Sequence, residues 1–243
     1  MMSLEEACQR TTVVTDMSFK NDDMSEYRLR EVQFHRCRFT DCNFDLAQIH
    51  DSRFIGCHFT DCSFREAVFA KCSFYDPEGG SATHWNRCDL SYAKFDTSDL
   101  AHSTFSKGSA YRLALTDCNA VQMKFGCAVH RQTARRVIKG GVVFINCKMH
   151  LTMFAKGDYE ESQFETCDMR ECDLSGSQLN YVSFRGSNLV NADLTGSSLD
   201  GVTLAYASIE GFDISSIRSF DSMVVSRDQH ELLLGSLGIR TLD

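Results

Sequence analysis

The sequence predicts an all-β solenoid, and three observations predict it: a five-residue apolar period, a small residue two places before each large one, and almost no proline. Every fifth residue from Phe19 to Phe74 is Phe, Met, Leu or Ile, and the period returns from Leu90 to Phe125 and again from Phe144 to Ile214. This period is neither the 3.6 residues of a helix nor the two residues of a strand, so it indicates a stack of short, nearly identical turns. The only proline fits such a stack, in which nearly every backbone N–H has a partner.

Small side chains precede the large ones by two positions, and many of them are cysteine. One large and one small side chain per repeat can interlock in a narrow core, while the other three positions face water. Free cysteine behaves as a small buried hydrophobe, and the Cys-x4-Cys spacing is the repeat itself, so we favour core packing over zinc or disulfides. Cys8 and Cys127 lie outside this position, and the other ten cysteines occupy it: Cys37, Cys42, Cys57, Cys62, Cys72, Cys88, Cys118, Cys147, Cys167 and Cys172.

This pairing of large and small inward residues resembles the pentapeptide-repeat family over roughly residues 14–217. The resemblance implies a right-handed, four-sided (quadrilateral) β-helix with four repeats per coil. A core this narrow fills with side chains and leaves no pocket, and the chain has no nucleophile elbow, P-loop or dinucleotide fingerprint. We therefore expect no catalytic activity, no cofactor and no metal site.

Two segments break the period and are predicted to protrude as loops. The first, 76–86, contains the only proline, the only tryptophan and a Gly-Gly pair, whereas the second, 126–141, carries four basic residues and no acid. Eight repeats lie between them, from Leu90 to Phe125, which predicts that both loops leave the same edge and form one functional patch. Insertions tolerated at any corner are the alternative. The candidate partner-binding residues in the loops are Asp76, Glu78, His84, Trp85, His130, Arg131, Arg135, Arg136 and Lys139.

The negative charge is concentrated in the C-terminal repeats. Residues 144–214 carry eleven acids and four bases, a net charge of −7 out of −8 for the chain. This approaches roughly two-thirds of the charge density of duplex DNA, and it predicts an acidic face that mimics DNA. A solvated acidic surface is the alternative. The densest stretch contains Asp158, Glu160, Glu161, Glu165, Asp168, Glu171 and Asp173.

Both termini lie outside the repeat. Residues 1–13 are predicted to cap one end of the core. Within residues 218–243, Ser226 and Gln229 form a capping box, which predicts a helix from Arg227 to Leu237 that ends at Gly238. This helix is too apolar for a free tail, and the sequence leaves open whether it forms a lid over the core or a twofold dimer interface.

Three features are similar to the Qnr-type quinolone-resistance proteins of that family: the early loop after Phe74, the basic loop two coils later, and the ending Leu233-Leu234-Gly235-Ser236-Leu237-Gly238-Ile239. The resemblance implies a homodimer joined through the C-terminus, with Leu233, Leu234, Leu237 and Ile239 at its interface. It also implies binding to a type II DNA topoisomerase, above all gyrase, and protection of that enzyme from quinolones or a related poison, with both loops needed. DNA mimicry would be the binding mode, without direct contact to nucleic acid. The alternative is a generic interaction scaffold, such as an effector or immunity protein, with a different partner.

The sequence also bears on location. No apolar run is long enough to span a membrane, and the N-terminus reads Leu4-Glu5-Glu6 rather than a signal peptide. We therefore expect a cytoplasmic protein without a membrane partner, and the many free thiols favour a reducing compartment.

Overall fold

The wall of the molecule consists of short parallel strands, each with one inward residue. The computed structural model describes residues 3–154 and 156–240. Phe19 pairs with Phe39, and Phe39 pairs with Phe59, so that a residue meets its counterpart twenty positions further along the chain. Twenty residues are four repeats, and each coil therefore has four faces. This confirms the predicted solenoid.

We number the faces in the order in which the chain visits them. Face 1 begins with the strands Val13–Thr15, Gln33–His35 and Arg53–Ile55. Face 2 contains Ser18–Lys20, Arg38–Thr40, His58–Thr60, His84–Asn86, Thr104–Ser109 and Lys124–Ala128. Face 3 is built from isolated parallel bridges, such as Asp23 with Asn43 and Asn43 with Ser63. Face 4 contains Arg28–Arg30, Gln48–His50, Val68–Ala70, Lys94–Asp96, Ala114–Thr116, Val143–Ile145 and Gln163–Glu165.

The core consists of columns of identical or similar side chains stacked from coil to coil. On face 2 the rings of Phe39 and Phe59 stack with centroids 4.6 Å apart. The ten cysteines predicted to point inward are buried. All of their thiols except that of Cys42 donate to carbonyls of the preceding coil, as Cys62 Sγ does to Phe39 O at 3.4 Å. The small inward residue thus fills space and also satisfies a backbone acceptor.

Each corner of the coil requires a left-handed backbone conformation. Asp16, Arg36 and Gly56, which occupy equivalent corners on successive coils, have φ of 55°, 53° and 63°. The corner N–H of Asp16 donates to His35 O at 2.9 Å, and this hydrogen bond to the next coil offsets the backbone strain. Glycine, asparagine and aspartate tolerate this conformation best, which explains their frequency at corners.

The first interruption is a short hairpin, and it is smaller than the predicted loop of 76–86. Strand Tyr75–Asp76 pairs antiparallel with Ser81–Ala82, and the chain then re-enters the wall through His84–Asn86. Trp85 pairs with Phe59 below and Phe105 above, and its side chain is only 1 % exposed. The prediction that Trp85 lies in a protruding loop is therefore wrong, because the indole fills an inward position five residues before Leu90.

The second interruption is also shorter than predicted. Residues 126–128 continue the wall strand Lys124–Ala128, and Val129 is buried in the inward position of face 3. The chain then forms a hairpin of Arg131–Gln132 and Val137–Ile138. It returns to the coil at Gly141, which takes a corner with φ of 55°. Only residues 130–140 protrude, and we call them the second hairpin.

The two hairpins leave the rod at opposite edges, and the predicted composite patch does not form. With Trp85 and Val129 counted, ten inward positions separate the hairpins, which is two and a half coils. The first hairpin leaves between faces 1 and 2, whereas the second leaves between faces 3 and 4. The prediction of a shared edge fails because it counted eight repeats.

Both ends of the core are covered. Helix α1, Leu4–Arg10, begins with a capping box between Ser3 and Glu6, and it buries Leu4 and Ala7 against the first coil. At the other end lie the 3-10 turns Ile214–Ser216 and Arg227–Gln229 and helix α2, His230–Ser236. The capping box of Ser226 and Gln229 is present, and Gly238 follows α2 with φ of 75°. In the described part of the chain, no helix is both long and apolar enough to cross a membrane.

Candidate functional site

The seven acids of the densest acidic stretch surround the rod instead of lining one face. Asp158 and Glu160 lie on face 3, Glu165 on face 4, Asp168 on face 1 and Asp173 on face 2, because one coil carries the whole stretch. Glu161 and Glu171 occupy corners between faces. Several already have partners, among them Asp168 with Arg170 at 2.6 Å and Glu165 with the Ser183 hydroxyl at 2.6 Å. The hydrogen bonds from Arg170 hold the pKa of Asp168 below its usual range. The predicted single acidic face is therefore not formed by these residues.

A different set of acids does line one face. We define the acidic stripe as the acids that flank the inward residues of face 3, and the only base at those positions is Arg65, which pairs with Asp89 at 3.0 Å. Counted in the same way, face 1 has three acids and three bases, face 2 has three and three, and face 4 has two and four. The stripe contains Asp23, Asp45, Asp89, Asp158, Glu160, Asp200 and Asp221, the last of which flanks Phe220, which is 41 % exposed at the end of the rod.

Part of the stripe has a local structural role that does not require charge. Asp23 Oδ1 accepts the backbone N–H of Ser25 at 3.0 Å, and Asn43 Oδ1 accepts that of Asp45 at 3.0 Å. Aspartate and asparagine therefore close the same turn equally well. The pKa of Asp23 is lowered by the hydrogen bond from the Ser25 backbone, so its charge persists to low pH. Because asparagine would close these turns equally well, the turns alone do not explain why face 3 has aspartate so often.

The second hairpin folds back onto the stripe. The His130 side chain is only 7 % exposed, and its Nε2 lies 3.1 Å from Asp158 Oδ1. Its Nδ1 accepts the Gly140 N–H at 3.3 Å, so Nε2 carries the proton that is donated to Asp158. Lys139 forms an ion pair with Glu160, and its Nζ lies 3.9 Å from Asp158 Oδ2. The hydrogen bond to Glu160 raises the pKa of Lys139 above its ordinary value.

An aromatic contact holds the other side of this hairpin. The Arg131 guanidinium lies over the Tyr111 ring, 4.9 Å from its centroid. A Cβ added at Gly140 would lie 2.2 Å from the same ring, so only glycine fits there. His130, Arg131 and Lys139 are thus anchors at the base of the hairpin.

The tip of the second hairpin is free of such contacts. The turn is closed by Thr133, whose Oγ1 accepts the Arg136 N–H at 3.1 Å. Arg135 and Arg136 are exposed, and neither forms an ion pair with any residue that the structure describes. The sequence did not separate these tip residues from the anchors, since both kinds are basic.

Around the first hairpin, the candidate residues are divided between the turn and the wall. Glu78 is exposed in the turn, and its N–H donates to Asp76 Oδ1 at 3.3 Å. His84 lies on the outer surface of face 2 and stacks on His58 with centroids 4.9 Å apart. Desolvation, followed by the neighbouring positive charges, lowers the pKa of both imidazoles. Trp85 is in the core and cannot contact a partner.

The apolar residues at the C-terminus fall into two groups, one packed on the core and one exposed. Leu233 is 8 % exposed and packs on the core, next to Gln229, whose Nε2 donates to Leu204 O and Ala207 O at 2.7 Å each. Leu237 and Ile239 are about half exposed, at 47 % and 50 %. Leu234 is partly buried. One part of this segment is a lid, and the other is an apolar surface without a partner in the described chain.

Metal ligation is not indicated in the parts of the chain that the structure describes. No group of three His, Cys, Asp or Glu side chains there could hold an ion. The Cys8 and Cys127 thiols have pKa values raised to about 11 by burial, which keeps them protonated and unreactive at neutral pH.

Comparison with known proteins supports the repeat assignment. A family model described as a pentapeptide repeat region matches residues 141–214, and one described as pentapeptide repeats (9 copies) matches residues 34–76. No curated protein sequence matches the chain.

Two solved structures, both of QnrB1, show the same fold. Trypsin-treated QnrB1, a plasmid-mediated fluoroquinolone resistance protein, is 17 % identical with a TM-score of 0.73, over 95 % of this chain and 99 % of that one. Full-length QnrB1 is 19 % identical with a TM-score of 0.60, over 93 % and 100 % of the two chains. HetL from the cyanobacterium Nostoc is more distant, at 12 % identity and a TM-score of 0.43, over 92 % and 93 %. Two stretches of this chain thus match models of pentapeptide repeats, and its four-faced coil has the fold of the QnrB1 structure.

Proposed function

We propose that this protein binds a type II DNA topoisomerase, with gyrase as the first candidate, and protects it from quinolones or a related poison. The observation that carries the proposal is the acidic stripe, a straight line of carboxylates on one side of a rod. The fold adds support, because the solved structure that it matches over 95 % of this chain is that of a fluoroquinolone resistance protein. We propose no catalytic step.

The stripe supports DNA mimicry for an electrostatic reason. Successive coils are about 4.8 Å apart, so carboxylates on one face recur along a line as the phosphates of a DNA strand do, at lower density. A groove that binds DNA is lined with Lys and Arg, and it attracts such a line at long range. The stripe, rather than the stretch Asp158–Asp173 as a whole, is therefore our proposed contact surface.

A homodimer through the C-terminus would lengthen the stripe. Leu237 and Ile239 expose an apolar surface beyond the lid, and a twofold axis there would join two rods end to end. Each rod would contribute Asp200 and Asp221, the last acids of the stripe, next to the joint. We propose this dimer as the binding form and the cytoplasm as its location.

The two hairpins would contact the partner at surfaces other than the stripe. The exposed Arg135 and Arg136 would contact an acidic surface of the partner, while Asp76, Glu78 and His84 would act on the opposite edge. Because the hairpins leave opposite edges, a partner that requires both must surround the rod.

The experiment is a gyrase supercoiling assay with ciprofloxacin, with the protein added from nanomolar to micromolar concentrations. We expect recovery of supercoiling, with an effect that weakens as salt rises. The double variant D200N/D221N keeps the turn geometry and removes charge from the stripe, so it should lose protection. The matched control D193N/D213N removes the same charge from face 2 of the same coils and should protect like the wild type.

The outcomes discriminate between the functions. Equal loss in both double variants would mean that net charge, and not the stripe, is recognised. Neither recovery nor inhibition at any concentration would exclude gyrase, and the protein would then be a scaffold, effector or immunity factor for a different partner.

A further inference from the structure

The second hairpin covers the middle of the acidic stripe, and its Lys139 brings a positive charge to it. Lys139 and His130 both contact Asp158, and Lys139 also pairs with Glu160. These two acids are the only stripe members between Asp89 and Asp200. The stripe is therefore interrupted at its centre by a segment of the same chain.

The contacts at this place are arranged so that the hairpin can move as one unit. Its two strands and its Thr133 turn are hydrogen-bonded to each other. His130 and Gly140, at the two ends of the hairpin, are joined by a hydrogen bond. Outside itself, the hairpin is held by Tyr111 on one coil and by Asp158 and Glu160 on a later coil.

We propose that the second hairpin is an autoinhibitory strap, which pairs Lys139 with Glu160 and covers Asp158 in the free protein and is displaced when a cationic partner surface binds the stripe. The Lys139, Asp158 and Glu160 side chains are 34 %, 49 % and 22 % exposed, so water reaches all three groups and a cation of the partner can take the place of Lys139. A partner lysine or arginine can replace Lys139 with no net loss of ion pairs. Tyr111 and its contact with Arg131 would keep the strap attached while its Lys139 side opens.

The exchange has a consequence for recognition. A partner must supply positive charge at the position of the strap in order to uncover the centre of the stripe, and partners without it meet a divided stripe. That this partner is a topoisomerase rests on the function proposed above, whereas the strap itself does not depend on it.

The test uses the full-length protein and a fluorescent octalysine peptide as the cationic probe, followed by anisotropy at low salt. Lys139→Gln removes the charge that covers the stripe, and Arg136→Gln makes the same change of charge at the tip of the same hairpin. We expect Lys139→Gln to bind the peptide about five-fold more tightly than Arg136→Gln, the effect of one exposed ion pair. Adding Glu160→Gln to Lys139→Gln should remove that gain, because Glu160 is the close partner of Lys139.

A second measurement follows the strap directly. Amide hydrogen exchange of residues 130–140 should accelerate on Lys139→Gln and on addition of octalysine to the wild type, with Arg136→Gln as the unchanged control. Equal peptide affinity of the two single variants, or unchanged exchange in Lys139→Gln, would overturn the proposal. Because neither measurement contains a topoisomerase, the strap can succeed while the proposed function fails, and the reverse.

Discussion

The indole of Trp85 lies on the ring of Phe59 with their centroids 4.5 Å apart, and it continues a column of aromatic rings through the rod. Above it the ring of Phe105 follows at 5.4 Å. The largest side chain of the protein is therefore a structural element of the wall that lies directly after the first hairpin.

This stacking predicts that Trp85 controls stability and not partner affinity. Trp85→Ala should destabilise the protein by about 3–5 kcal/mol because it leaves a cavity in a filled core, whereas Trp85→Phe should cost much less. Urea unfolding followed by far-ultraviolet circular dichroism measures both. The intrinsic fluorescence of this single tryptophan should report unfolding and stay constant on partner binding; a large change on binding without unfolding would contradict the assignment.

Any side chain at Gly141 is predicted to destabilise the protein, because this position combines two constraints. Its φ is 55°, and a Cβ would lie 2.8 Å from Glu161 O. Gly141→Ala should therefore lower stability by about 1–3 kcal/mol. Gly80→Ala is the matched control, since Gly80 has φ of 63° but no atom within 4 Å of an added Cβ. Thermal unfolding should show the larger loss for Gly141→Ala, and equal losses would mean that only backbone strain matters.

The inward cysteines should tolerate serine. Ser187 Oγ donates to Phe164 O at 2.7 Å, in the same way as Cys62 Sγ donates to Phe39 O. We expect Cys62→Ser to cost less than about 1 kcal/mol and Cys62→Leu, which overpacks the position, about 1–3 kcal/mol. Chemical unfolding measures both, and a severe loss in the serine variant would show that the thiol has a role other than packing.

The stacked imidazoles predict a pH dependence of stability. The pKa values of His58 and His84 are lowered in the folded protein, so the unfolded chain binds protons more readily on acidification. Stability from this pair is fully present above the ordinary histidine pKa of about 6.5, and it is lost as pH falls through the lower folded values. His84→Gln should therefore reduce the fall in Tm between pH 7.5 and pH 5.

Substitutions of the C-terminal apolar residues should affect either stability or dimerisation, depending on whether the residue is buried. Leu233→Ala should reduce stability by about 2 kcal/mol or more, because the side chain is buried on the core. Leu237→Asp combined with Ile239→Asp should leave Tm nearly unchanged and convert a dimer to a monomer, as measured by light scattering. A wild-type monomer, or a double variant that remains dimeric, would remove the dimer from the proposed function.

The core of the rod was predictable from sequence because every coil repeats one packing problem. Phe19, Phe39 and Phe59 take equivalent positions because twenty residues make one coil, and the period alone reveals this. Trp85 was mispredicted although it obeys the same period, five residues before Leu90 and two after the buried Thr83. The loop-like composition of the preceding residues outweighed that signal.

The acidic stripe was not predictable in the same way. Its members are far apart in sequence, and aligning them requires the lengths of both insertions. Phe59 to Trp85 is 26 residues, six more than a coil, and Leu115 to Phe144 is 29, nine more. Neighbours in sequence, such as Asp158 and Asp173, instead lie on different faces. The ion pair of Lys139 was also not predictable, because nothing in a run of basic residues distinguishes one that pairs with an acid of the wall from one at the free tip.

The number of repeats between the two hairpins sets the angle between them around the axis of the rod. Each repeat turns the chain through a quarter of a revolution, so ten inward positions between the hairpins set them half a revolution apart. Removing two repeats between them would bring both hairpins to one edge, and removing one would set them at right angles. The direction in which a hairpin points thus depends on the number of repeats before it and not on any residue within it. Adding or removing repeats would therefore change that direction without any change to the sequence of the hairpin.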